Sequence, residues 1–132
     1  MITLIIVAHG NLAAELLATA KMTYGSKIDD VYALCFTSDQ EMETLRDRIA
    51  KILEGVKDSP VIFLTDMIGG SAFTASMNFL RAKDRYLITG ANLPILLEIL
   101  LARDNQSIDQ VIAHVRSNIM KYSVVFPQGM IG

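Results

Sequence analysis

The sequence predicts an open α/β sheet, doubly wound, with helices on both faces. Three observations carry that expectation. Short runs dense in Val, Ile, Leu and aromatic residues recur along the 132 residues without alternating with polar ones, which marks strands buried on both sides of a mostly parallel sheet. Amphipathic stretches of helical period lie between those runs. Capping residues and glycines punctuate the stretches.

The first strand is expected over Ile2–Ala8, from the run MITLIIVA. A helix over Leu12–Thr23 should then bury Leu12, Leu16, Leu17 and Ala20, and Gly25 suits its C-terminal cap. Asp29-Asp30 reads as a turn into a second strand, Val31–Phe36. Ser38-x-x-Glu41 has the form of a capping box, and the helix behind it places Met42, Leu45, Ile49, Ile52 and Val56 on one face. The third strand is Val61–Thr65, followed by a helix from Ser71, its N-cap, to about Ala82. Arg85–Thr89 is the fourth strand. A helix follows from near Asn92 to Arg103, with Pro94 in its first turn. Ser107-x-x-Gln110 is a second capping box, opening a helix that buries Ile108, Val111, Ile112, Val115 and Ile119. A fifth strand is expected over Ser123–Phe126. Two consecutive helices before it break the alternation, so it is expected as an antiparallel edge or as a strand paired with another subunit. With no linker or repeat, residues 1–132 are read as a single domain.

Composition narrows the function. Apolar residues make up 52% of the chain and charged residues 20%, enough apolar surface to expect an oligomer interface. No apolar run approaches the roughly 20 residues of a spanning helix. MITLIIVA lacks a basic leader and a small-residue cleavage site, so a cytoplasmic protein is expected. A net charge of -2 and the lack of a Lys/Arg cluster argue against nucleic acid as a partner. Cys35, the single cysteine, excludes an intramolecular disulfide and a cysteine-based zinc cage, and within VYALCF it reads as core packing.

In open α/β sheets, ligands bind at the carboxyl ends of the strands. Those ends carry His9-Gly10 after strand one, Asp66 and then MIGGSAF after strand three, and Gly90-Ala91-Asn92-Leu93-Pro94 after strand four. Alone, His9 is compatible with a structural histidine and Gly-Gly-Ser with an ordinary helix start. Together they suggest more. A carboxylate accepting the Nδ1–H of His9 would fix the tautomer and leave Nε2 with a lone pair, which suits a nucleophile, a general base or a metal ligand. Gly69-Gly70 would let the backbone approach a ligand, and the helix start at Ser71 favours an anion. A nucleophilic imidazole facing an anion cradle is equipment for accepting a phosphoryl group, a transfer that needs positioning and charge stabilisation. His114 lies off the apolar face of its helix and reads as solvated. Arg103-Asp104 reads as a helix end complementing the dipole, or as a rim that receives a partner. No Walker loop, zinc signature or G-x-G-x-x-G occurs.

Three segments, IIVAHGNLAAELLATAKM, VIFLTDMIGGSAFTAS and ITGANLPILLEILLARD, taken in order, span nearly the whole chain. In them the sequence resembles the IIA domain of the mannose/fructose/sorbose family of the bacterial phosphoenolpyruvate-dependent sugar phosphotransferase system. An aromatic before the Gly-Gly pair and a proline after the serine, frequent in that family, are replaced by Ile68 and Ala72. The resemblance implies that His9 takes a phosphoryl group from phospho-HPr and passes it to a IIB component, with membrane IIC and IID components involved only indirectly. It implies that Asp66 orients His9 through Nδ1, and that Gly70, Ser71 and adjacent amides bind the phosphoryl oxygens. It also implies a strand order 2-1-3-4 plus the fifth strand, and a homodimer in which that strand is exchanged. The chemistry requires neither metal nor organic cofactor. The sequence runs to Gly132 with no Ala/Pro-rich linker, so IIB is expected on a separate polypeptide.

Other classes fit less well. A regulatory module phosphorylated on His9 as a signal would have the same site. A small tetrapyrrole chelatase would want a second histidine at a strand end, and the chain offers only His114. A receiver domain would want acidic residues after strand one, and an FMN binder a Ser/Thr-rich first loop; HGNLAAE is neither.

Overall fold

The computed structural model of the chain describes residues 1–129. Four parallel strands, β1 (Thr3–His9), β2 (Val31–Phe36), β3 (Val61–Thr65) and β4 (Arg85–Thr89), lie in the order β2-β1-β3-β4. Between and after them come α1 (Leu12–Thr23), α2 (Met42–Gly55), α3 (Ser71–Met77), α4 (Leu93–Ala102) and α5 (Ile108–Asn118), and a 3-10 turn over Ile119–Lys121.

The sheet is covered on both sides, which explains why its strands carry apolar residues on both faces. Leu4, Ile6, Ala8, Ile62 and Leu64 pack into one core with Ala13 and Ala20 of α1, Ile99 and Leu100 of α4, and Val111 and Val115 of α5. Residues of the other parity, Ile5, Val7, Val61 and Phe63, pack with Leu45 and Ile49 of α2 and Ala72 and Ala75 of α3. The chain leaves β1 for β2 on one side and returns to β3 on the other. The tips of β1 and β3 therefore form the switch point of the sheet, where side loops splay apart and leave a crevice.

Several expectations need correction. β1 runs one residue further than expected, so His9 is its last residue and pairs in register with Phe36. Leu12 is exposed rather than buried, because α1 turns Ala13 and Ala20 to the core instead. The box at Ser38 does not form: residues 37–40 close a turn of their own, with Gln40 N–H donating to the Thr37 carbonyl, and α2 starts later with Glu41 at its N-cap. Gly70, not Ser71, occupies the N-cap of α3. That helix stops at Met77 rather than near Ala82. Ser76 Oγ donates to the Ala72 carbonyl, and Asn78 Nδ2 to the Thr74 and Ala75 carbonyls, in competition with the helical ladder. Ile119 falls in the 3-10 turn and is exposed. The fifth strand does not form: among the described residues Ser123–Phe126 pairs with no strand, and Val125 is 90% exposed. A strand needs a neighbour to complete its backbone bonds, and a single chain brings none to this segment. The capping box at Ser107 and Gln110 and the Asn92 cap of α4 form as expected.

Candidate active site at the tips of β1 and β3

β1 and β3 pair in register with Val7 opposite Thr65, so the next residue of β3, Asp66, reaches the tip of β1. There its carboxylate is tied to His9 twice. The backbone N–H of His9 donates to Asp66 Oδ2 at 3.1 Å, and His9 Nδ1 lies 2.8 Å from the same oxygen. Asp66 Oδ1 accepts the backbone N–H of Met67 at 3.1 Å, so both carboxylate oxygens are anchored to the main chain. Desolvation pushes the Asp66 carboxyl upward, yet the side-chain and backbone bonds from His9 and the charge of His9 outweigh it, and Asp66 titrates below its ordinary range. An ionised carboxylate only accepts, so Nδ1 carries the hydrogen, and in the neutral ring Nε2 keeps its lone pair. The Asp66 side chain is 12% exposed against 44% for His9. One partner is held in the protein and the other looks out.

Gly10, at φ +58°, turns the chain from β1 into α1 within three residues of the histidine, a conformation costly to a side chain with a Cβ. Asn11 stands at the N-cap of α1 without a side-chain capping bond. On the β3 side, Gly70 lies against the imidazole itself: a Cβ there would sit 2.7 Å from His9 Cε1 and 3.6 Å from Nε2. Ser71 begins α3 beside it, partly buried. A cleft of about 440 Å³ opens on the β2 side, lined by His9, Gly10, Phe36, Thr37 and Ser38.

These are the residues the sequence singled out, and the fold brings His9, Asp66 and the Gly70-Ser71 turn together. The third expected loop serves structure. Ala91 N–H donates to the Thr65 carbonyl, and Asn92 Oδ1 accepts from Ile95 N–H while its Nδ2 reaches Ser123 Oγ. Arg103 is no rim. It is buried at the opposite end of the sheet, donating to the carbonyls of Ile2, Asp29 and Asp30. His114 sits on α5 in a pair with Glu98 of α4, far along the chain from the strand tips. Cys35 packs against the first core as expected. Among the described residues no group of three potential metal ligands occurs.

Residues 3–116 match the family model described as PTS system fructose IIA component. The chain belongs to the mannose/fructose/sorbose IIA family of the sugar phosphotransferase system. It is 36% identical over 115 residues to the mannose-specific EIIAB component of Escherichia coli, a match covering 85% of this chain and 35% of that longer protein. It is 26% identical over 128 residues to the sorbose-specific EIIA component of Lacticaseibacillus casei, covering 96% and 92% of the two chains. A crystal structure of phosphotransferase system component EIIA from Streptococcus agalactiae superposes with a TM-score of 0.85 at 27% identity, covering 96% and 98% of the two chains.

One residue against His9 and one at the start of α1 are placed differently from what the sequence suggested. Phe36 meets the His9 ring edge-on, with centroids 6.1 Å apart and planes at 87°. It read only as the end of an apolar run, because nothing in one sequence gives strand register. Leu12 was assigned to the core by its helical spacing. It is exposed at the start of α1, as Met67 and Ile68 are in the β3–α3 loop.

Proposed function

We propose that this IIA component is a phosphocarrier in which Nε2 of His9 accepts a phosphoryl group from phospho-HPr and hands it to a IIB component. The observation that carries the reading is the Nδ1–Asp66 contact at 2.8 Å beside a half-exposed ring, which leaves Nε2 the nucleophilic nitrogen. In the transfer, the Nε2 lone pair forms the new N–P bond as the donor's P–N bond breaks, and the bonding pair stays on the donor imidazole. Positive charge that develops on the His9 ring is balanced by the Asp66 carboxylate through Nδ1–H. Ser71, with the amides at the start of α3, takes the phosphoryl oxygens, and the bare Cα of Gly70 leaves room for them beside Nε2. The uncapped start of α1 adds a favourable field for the same anion. The second transfer, to IIB, runs the same step in reverse. Neither step draws on a metal or organic cofactor.

Leu12, Met67 and Ile68 supply apolar rim contacts for protein partners, which must come and go at the same nitrogen. The IIC and IID membrane components are reached only through IIB. Residues 1–132 act as a single cytoplasmic domain; among the described residues no helix is long and apolar enough to cross a membrane. A homodimer formed by exchange of the last segment is supported by two features. Val124, Val125 and Phe126 are exposed, and a groove of about 230 Å³ lined by Tyr86, Leu87, Ile88 and Ile112 runs along the free edge of β4.

Incubation with phosphoenolpyruvate, enzyme I and HPr, read by intact mass at alkaline pH, tests the reading. It predicts one added phosphate that is acid-labile, alkali-stable and absent in His9→Ala, whose fold is retained. Uptake that persists in His9→Ala contradicts it, as does no uptake by the wild type beside active HPr. Onward loss of the phosphate to IIB separates a relay from a module that merely stores the signal.

A further inference from the structure

The bond to Asp66 fixes one atom of the His9 ring but not its plane. Rotation about the Cβ–Cγ bond of histidine has broad wells, and a hydrogen bond to carboxylate tolerates a wide swing. A nucleophile in an in-line transfer needs its lone pair aimed, so something else must hold the plane.

We infer that Phe36 and the bare Cα of Gly70 form a slot that sets the plane of the His9 imidazole, making Phe36 a positioning residue for transfer. The two come from opposite neighbours of β1: Phe36 ends β2, and Gly70 follows β3. Phe36 is the register partner of His9, and its carbonyl accepts Gly10 N–H at 2.8 Å, so its backbone is locked to the strand tip it supports. Its ring is partly buried against the second core, which restricts its swing. The contact with His9 has the edge-to-face geometry that aromatic pairs favour. On the other side Gly70 fits closely, because even a methyl there would overlap Cε1 at 2.7 Å and touch Met67 Cγ at 3.4 Å. A side chain at residue 70 must therefore push the ring out of its place, and a smaller or non-planar side chain at 36 must let it turn. Phe36 also lines the open cleft beside His9, so the residue that holds the ring borders the route to it.

The slot rests on the carrier reading only for its consequence in rate, and one set of variants separates the two. The ring ¹⁵N–¹H signals of His9 in unphosphorylated protein report tautomer and mobility without any transfer. Phe36→Leu and Gly70→Ala should both give broadened or shifted ring signals, from a mobile or displaced imidazole, with the overall amide spectrum retained. Phe36→Tyr should restore the wild-type pattern. In transfer from phospho-HPr, Phe36→Leu should lower kcat on the order of tenfold with KM unchanged, since orientation and not docking is lost. The double variant Phe36→Leu/Gly70→Ala should be less impaired than the two single effects combined, because removing one wall relieves the push from the other. Wild-type ring signals in Phe36→Leu overturn the inference. If Phe36→Leu fails to fold, wild-type ring signals in Gly70→Ala overturn it instead. A wild type that takes up no phosphate contradicts the carrier reading, while its ring spectra still decide the slot.

Discussion

The two ends of the sheet use polar side chains in opposite ways. At the amino ends of the strands, beside a cleft of about 550 Å³, the buried guanidinium of Arg103 donates to three backbone carbonyls, those of Ile2, Asp29 and Asp30. Its charge is absorbed in tying α4 to the starts of β1 and β2. At the carboxyl ends, beside a smaller cleft, the fold satisfies only one side of the imidazole. Asp66 holds Nδ1, and among the described residues no protein group bonds Nε2. The larger cleft is thus built around a completed network and the smaller one around an incomplete one. A functional group is recognised by the valence that the fold leaves open, and cavity size is a poor guide to it.

Asp66→Asn attacks the open end most severely. An amide can donate to Nδ1 as readily as it accepts, so the tautomer preference is lost and phosphoryl uptake should slow on the order of 100-fold. Rapid-quench transfer from phospho-HPr measures this, and unchanged rates would show that another group orients His9. The matching change at the closed end, Arg103→Met, should leave the uptake rate of folded protein unchanged. It should remove about 2 kcal/mol of stability, read by urea unfolding, because buried carbonyls lose a charged donor. The Asp30 carbonyl keeps a second partner, Leu4 N–H at 2.9 Å, which limits the loss. A drop in uptake with unchanged stability would reverse the contrast between the two ends.

The smallest effect sharpens the comparison through pH. Asp66 titrates lower in the folded chain than in the unfolded one, so its contribution to stability is complete above the unfolded carboxyl value, about 3.9, and is lost as pH falls through the folded value. The melting temperature of the wild type relative to Asp66→Asn should therefore hold from about pH 7 to about 4 and fall as the pH is taken on towards about 3. A constant difference across that range would mean that the carboxylate is not held as described.

The strands were legible in the sequence because burial on both faces removes the polar alternation. His9, Asp66 and Ser71 were legible because topology alone places strand ends on one edge of an open sheet. What was missed depends on register and competition. Phe36 meets His9 only through the β1–β2 pairing. The Ser38 box was lost to a turn over residues 37–40, and the end of α3 moved because Ser76 and Asn78 bond to its carbonyls. Leu12 showed the right period on the wrong face, since small Ala13 lets α1 sit close to the sheet. The segment Ser123–Phe126 has a strand's composition, but a strand is a property of two segments, and its partner lies outside the single chain in the dimer we propose.

Nε2 of His9 is the valence that the fold leaves open. Protein labelled with ¹⁵N in its histidine rings, phosphorylated through HPr and examined for ¹⁵N–³¹P coupling, tests it most directly. The account predicts coupling at Nε2 of His9, with Nδ1 still protonated and bonded to Asp66. Coupling at Nδ1, or phosphate carried by any other residue, would contradict it.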